Sequence, residues 1–259
     1  MFDVGKSIII GSRDYQDDNY FINDPYGKDT ALTKLHSLLL CIADGVGGEA
    51  AGNVASKIVC RTANETIVES LKTNPVTADI PALLKDVLPP IQTNFNAMLD
   101  HNETYKGMAT TMLLCFLECN HLYWLSIGDS RLILFRNGKI RPLNDDHSFG
   151  MMLDRRAAKG EISFDEAANH PERHYLVSYV GADEIKSIDS PAEPIELRMN
   201  DILLLATDGV NSLSDDEIKS IINTPVEAQT IAVELTDAIG RKKINYQDNT
   251  TVIVVKMTN

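Results

Sequence analysis

Thr111-Met112-Leu113-Leu114-Cys115-Phe116-Leu117-Glu118 is followed by His121-Leu122-Tyr123-Trp124-Leu125-Ser126-Ile127-Gly128 and then by Arg131-Leu132-Ile133-Leu134-Phe135-Arg136. Only Cys119-Asn120 and Asp129-Ser130 separate these apolar runs. Short apolar runs bounded by Gly, Asn or Ser read as core strands. Connectors this brief join antiparallel neighbours, whereas a parallel crossover needs roughly a dozen residues or more. The stretch argues against a doubly wound parallel sheet. An α+β fold on antiparallel strands is expected.

On either side, further strands are predicted over about 5–11, 18–23 and 36–43, and over about 202–206 and 251–257. A helix over about 50–72 places Val54, Ile58, Ala63, Ile67 and Leu71 on one face. A second helical region, about 80–100, is broken or kinked by Pro89-Pro90. Ser214-Asp215-Asp216-Glu217 has the pattern of a capping box. A last helix, about 226–241, buries Ile231, Leu235 and Ile239. No linker or fixed-period repeat divides the 259 residues, so one domain over 1–259 is expected. Residues 147–180 are charged and poor in strand-like runs, which suggests a flap over the sheet edge.

Asp44, Asp129 and Asp208 stand where strands end; Asp17, Asp18 and Asp248 stand where strands begin. In an antiparallel sheet these ends and beginnings share an edge, so one rim can collect all six. Carboxylates are costly to desolvate unless something positive meets them. No matching set of Lys or Arg lies beside these in the sequence, which suggests divalent cations. Mg²⁺ and Mn²⁺ take hard oxygen ligands and keep several waters. Asp44 is the candidate bridge between two ions, because Gly45-Val46-Gly47-Gly48 lets backbone come close. The competing reading is a turn aspartate before glycine. A phosphate cradle fits poorly, since the stretch lacks the Gly-Lys-Ser/Thr ending. His170 and His174 are four apart, but Pro171 spoils a helical ligand pair, so both are placed on the flap surface. His147 is read as a turn organiser without a catalytic role.

The formal charge of −13 disfavours nucleic acid as a partner. Cys41, Cys60, Cys115 and Cys119 lie in apolar or helical surroundings and read as buried, reduced thiols. Met1-Phe2-Asp3-Val4-Gly5-Lys6 does not open a signal peptide, and no run approaches membrane-spanning length. A cytoplasmic, monomeric protein without membrane association is expected.

In chain order, Arg13-Asp14-Tyr15-Gln16-Asp17-Asp18, Asp44-Gly45-Val46-Gly47-Gly48, Gly107-Met108-Ala109-Thr110-Thr111 and Ile127-Gly128-Asp129-Ser130-Arg131 are joined by Asn144-Asp145-Asp146-His147-Ser148. Gly160-Glu161-Ile162 through His170-Pro171, then Thr207-Asp208-Gly209 and Asp248-Asn249 with Thr251, complete the series. This ordered set resembles the protein phosphatase 2C family, metal-dependent Ser/Thr protein phosphatases, in its compact bacterial form, essentially end to end. The resemblance implies an antiparallel β-sandwich flanked by helix pairs (α-β-β-α), with two Mn²⁺ or Mg²⁺ ions at one end. It implies direct attack on phosphoserine or phosphothreonine by a water bridging the ions. Asp44 would bridge them, Gly45 would offer its carbonyl, and Asp208 and Asp248 would ligate the other ion. Asp17 and Asp18 would act mostly through water, and Asp129 would support a third, weaker ion. Arg13 would bind the substrate phosphate; its bland alternative is a surface ion pair with Asp14 or Asp17. The implied partners are phosphoproteins made by a Ser/Thr kinase.

Two departures stand out. Val46 occupies a position where many members carry a His proposed to protonate the leaving group; a valine cannot donate, so the resemblance implies that metal-bound water would supply that proton. Arg173-His174-Tyr175-Leu176-Val177-Ser178-Tyr179-Val180-Gly181 strays from the usual Arg-Asn-x-Leu-Thr-x-x-Leu-Gly. A catalytically silent signalling scaffold and a different metallo-hydrolase, such as a nuclease, are the rival readings.

Overall fold

The computed structural model describes residues 1–26, 37–47, 51–73 and 79–258. Gly48 and the first predicted residues of the 36–43 strand and the 50–72 helix lie outside them. Two five-stranded sheets carry the fold. The first runs β1 (Phe2–Ile9), β12 (Thr250–Met257), β11 (Ile202–Ala206), β8 (Arg131–Arg136), β9 (Lys139–Pro142). The second runs β10 (Ile195–Glu196), β7 (His121–Ile127), β6 (Met112–Glu118), β3 (Ser37–Ala43), β2 (Asn19–Asn23). A small ladder pairs β4 (Gly45–Val46) with β5 (Ala109–Thr110), and every pairing is antiparallel.

Alternate residues of each strand point to opposite faces. Leu38, Leu40 and Ile42 of β3 join Leu113, Leu203, Leu205 and Ile253 in a buried cluster between the sheets. The intervening Leu39 and Cys41, with Leu114 and Phe116, pack under α1 (Ala51–Thr73), α2 (Ile80–Lys85) and α3 (Leu88–His101). On the other side Leu204, Ala206, Val252 and Val254 pack under α6 (Asp215–Ile222) and α7 (Ala228–Lys242). Burial on both faces is why these strands are continuously apolar rather than alternating. Four layers, α-β-β-α, result.

Several boundaries differ from expectation. β1 covers Phe2–Ile9 rather than 5–11. The helical break falls between α2 and α3, and the prolines open α3 instead of interrupting it. A first turn leaves its N–H groups unpaired anyway, so Pro costs little there. Of the cysteines, Cys41, Cys60 and Cys115 are buried, but Cys119 is exposed in the β6–β7 turn with φ of 55°. The 147–180 segment holds α4 (Phe149–Ala158) and α5 (Phe164–Ala168), the latter opened by a capping box at Ser163 and Glu166. The predicted box at Ser214 and Glu217 opens α6.

Candidate active site

Asp44 follows the last residue of β3, and its backbone is held on both sides. Its N–H donates to Thr111 Oγ1 at 2.9 Å. Its carbonyl accepts from the Thr111 N–H at 2.9 Å and from Thr110 Oγ1 at 2.8 Å. The next residue must be glycine for a packing reason. A Cβ on Gly45 would sit 2.2 Å from the Gly52 carbonyl oxygen in the first turn of α1. Gly209 after Asp208 is constrained likewise, with Thr250 Oγ1 at 2.1 Å and the Asn249 carbonyl oxygen at 2.2 Å from a Cβ there.

Asn249 ties the loop between β1 and β2 to the start of β12. Its Nδ2 donates to the Ile10 carbonyl at 2.8 Å and the Tyr15 carbonyl at 3.0 Å, and its Oδ1 accepts from the Asp17 N–H at 2.7 Å. Asp18 is buried, accepting from Thr207 Oγ1 and Thr251 Oγ1, each at 2.8 Å. Arg13 pairs with Asp248 across 2.5 Å, not with Asp14 or Asp17 as the bland alternative had it.

The predicted rim is one cleft of about 630 Å³, lined by Arg13, Asp17, Asp44, Gly45, Asp129, Asp208 and Asp248. Asp18 is the predicted residue that does not line it; its charge nonetheless acts on Asp44. Asp44, Asp129 and Asp208 are half-buried: one edge meets the cleft while protein crowds the rest. Burial is the first cause that pushes every one of these carboxyls up, and mutual repulsion is the second theme. Asp18 rises to about 7, with Asp208 and Asp248 adding to burial. Asp129 rises to about 8, with Asp208 and Asp146 adding. Asp44 is driven well above the carboxylate range by burial and by Asp208, Asp18, Asp129 and Asp248. Asp208 is raised by burial and Asp248, partly offset by a hydrogen bond with Asp44 and by Arg13 and His174. Asp17 is raised chiefly by burial.

Protein cations thus compensate this cluster poorly, and divalent ions would reverse the repulsion. The donor set fits them. Asp17 Oδ1, Asp18 Oδ1 and Asp208 Oδ1 are buried with no hydrogen-bond partner among the described residues. Among those residues, no three His, Cys, Asp or Glu side chains close into a ready-made metal cage. Carboxylates spread round a roomy cleft suit ions that keep much of their water.

Two features on or near the cleft go beyond the sequence reading. His174, with Tyr175 and Leu176, lines it from the flap rather than decorating the surface. His170 does stay on the flap, edge-on to Phe149 at 5.2 Å. His147 is a latch: its Nδ1 accepts from the Gly128 N–H at 3.2 Å, and its carbonyl accepts from the Val177 N–H at 2.8 Å. The departure at Arg173-His174 was the available signal for the first.

A sequence profile described as protein phosphatase 2C matches residues 21–237. The chain belongs to the protein phosphatase 2C family. A putative 2C-type phosphatase of Streptococcus pyogenes is 30% identical over 224 residues, covering 84% of this phosphatase and 85% of that protein. The serine/threonine phosphatase stp of Listeria monocytogenes is 29% identical over 222 residues, covering 84% of each. Among solved structures, the Mycobacterium tuberculosis serine/threonine phosphatase PstP/Ppp matches with a TM-score of 0.79 and 25% identity, covering 100% of this chain and 99% of that one. The catalytic domain of PstP in complex with two manganese ions matches at 24% identity and TM-score 0.77, covering 100% and 99%. The phosphatase thus shares its four-layer architecture with these enzymes. No helix among the described residues is long and apolar enough to cross a membrane.

Proposed function

We propose that this phosphatase hydrolyses phosphoserine and phosphothreonine in proteins, with divalent cations held by the acidic cleft. The convergence of Asp17, Asp44, Asp129, Asp208 and Asp248 with Arg13 in a single cleft carries the assignment. Asp44, the Gly45 carbonyl, Asp208 and Asp248 would hold the ions, with Asp44 as the shared ligand. Asp17 and Asp18 would contribute mostly through water, and Asp129 would serve a third, weaker ion. Bound Mn²⁺ or Mg²⁺ supplies positive charge for the phosphate oxygens and acidifies a water for attack at phosphorus. The two manganese ions named for the PstP neighbour make Mn²⁺ the first metal to test.

The chain's own residues do the rest. Arg13, with its side chain 57% exposed and tethered by Asp248, presents a planar fork suited to two phosphate oxygens. The Thr110 and Thr111 bonds fix Asp44 before substrate arrives, so little reorganisation accompanies reaction. Residues 147–180 form a flap, lining the cleft with His174, Tyr175 and Leu176, on one catalytic unit spanning 1–259. Substrates are phosphoproteins supplied by a Ser/Thr kinase, and the working unit is a cytoplasmic monomer. A silent scaffold has no use for buried, mutually repelling carboxylates.

Asp44→Asn, Asp208→Asn and Asp248→Asn should each lower Mn²⁺-dependent hydrolysis of p-nitrophenyl phosphate and a phosphothreonine peptide by at least about 100-fold. Folded variants that bind Mn²⁺ and turn over like the parent would remove the proposal.

A further inference from the structure

Hydrolysis of a phosphoserine breaks the bond from phosphorus to the side-chain oxygen and forms one to the attacking water oxygen. The water gives up a proton, and the departing alkoxide, which leaves with the bond pair, must gain one. A well-placed acid for that second transfer contributes typically ~100-fold or more. Few groups in the cleft can act so. Arg13 does not release its proton. Val46 has none to give. The aspartates serve as ionised ligands under the reading above, on which this inference rests. Phenols such as those of Tyr15 and Tyr175 are weaker acids than an imidazolium.

His174 supplies the imidazole that lines the cleft among the described residues. Its backbone neighbours are fixed on both sides. The Arg173 carbonyl accepts from the Gly150 N–H at 2.8 Å, and the Tyr175 carbonyl accepts from the Phe149 N–H at 2.8 Å. Arg173 itself grips Asp154 with two bonds of 2.9 Å. The segment is thereby pinned to α4, while His174 stays exposed and lines the cleft. It shares the cleft with Asp44, Asp129, Asp208, Asp248 and Arg13; on its own side it has Tyr175, and Asp146 acts on the Arg173–Asp154 pair. Asp208 feels its charge, though burial and Asp248 outweigh it and push that carboxyl up.

We propose that His174 is the proton donor to the leaving seryl or threonyl oxygen. The imidazolium gives its proton as the ester bond breaks and recovers one from solvent before the next turnover.

Leaving groups that do and do not need a proton separate this role from simple phosphate binding. In the Mn²⁺-loaded enzyme, His174→Gln and His174→Ala should lower kcat on a phosphothreonine peptide about 100-fold. On p-nitrophenyl phosphate, whose nitrophenolate departs without help, the loss should be far smaller. Both variants should lose the alkaline limb that a required acid imposes on peptide kcat, and added imidazole should restore His174→Ala. In Mg²⁺-loaded protein, the His174 ring NMR signals should move on titration with inorganic phosphate. Equal losses on both substrates, no loss on the peptide, or ring signals indifferent to phosphate would overturn the assignment. A parent inert towards both substrates would instead bring down the phosphatase reading itself.

Discussion

Gly45 shows how one residue couples packing to chemistry. On the side where a Cβ would stand, its neighbour is the backbone of α1, with the Gly52 carbonyl oxygen at 2.2 Å. Gly45→Ala must therefore push Asp44 away from α1 and out of its Thr110–Thr111 clamp. Overpacking of this kind costs roughly 1–3 kcal/mol, and ligand displacement should weaken Mn²⁺ binding by at least about tenfold. Gly240 in α7 provides the contrast, because nothing lies within 4 Å of a Cβ there. Gly240→Ala should stabilise the helix by up to about 1 kcal/mol and leave Mn²⁺ affinity as it was. Urea unfolding and Mn²⁺ titration check both. The glycine after an aspartate was legible in the sequence, yet its reason was not. Spacing shows that backbone comes close; only the fold shows which backbone.

At the scale of elements, the strands read with the closest bounds include those buried on both faces. The run Ile202–Ala206 has no polar residue, and its bounds match the prediction. β9 escaped because Lys139–Pro142 is a mostly exposed edge, polar and closed by proline. The flap was visible only as composition, and its attachment through His147 depends on Gly128 and Val177, distant in sequence. Burial lowers the His147 pKa, more than the nearby Asp145, Asp189 and Asp146 raise it. The folded state thus resists a proton that the unfolded chain accepts near pH ~6.5. This stabilisation is complete above that value and is lost as pH falls through the lowered one. Urea midpoints between pH 7 and 5 should fall more steeply for the parent than for His147→Gln. Parallel profiles would show that the latch does not titrate.

At the scale of the whole molecule, the acidic cleft is a local weakness that cations should repair. Asp18 and Asp129, held up to about 7 and about 8, favour their protonated forms in the fold. Groups raised in this way stabilise below their ordinary range, and the benefit disappears as pH rises through 7 to 8. Metal-free protein should therefore soften across that interval. Mn²⁺, which binds ionised carboxylates, should raise Tm more at pH 8 than at pH 6. At a hundredfold excess over Kd the gain is about 2.7 kcal/mol, and EDTA should abolish it. A Tm blind to both Mn²⁺ and EDTA would contradict the account.

The turn between β6 and β7 offers a practical handle. Cys119 is the exposed thiol among four cysteines, and β6 runs seven residues from there back towards Thr111 and Asp44. At ~3.4 Å per residue, that places the sulfur roughly 24 Å from the carboxylates. A maleimide dye would attach at that remote pole without an engineered site, giving a fluorescent reporter whose chemistry leaves the cleft untouched.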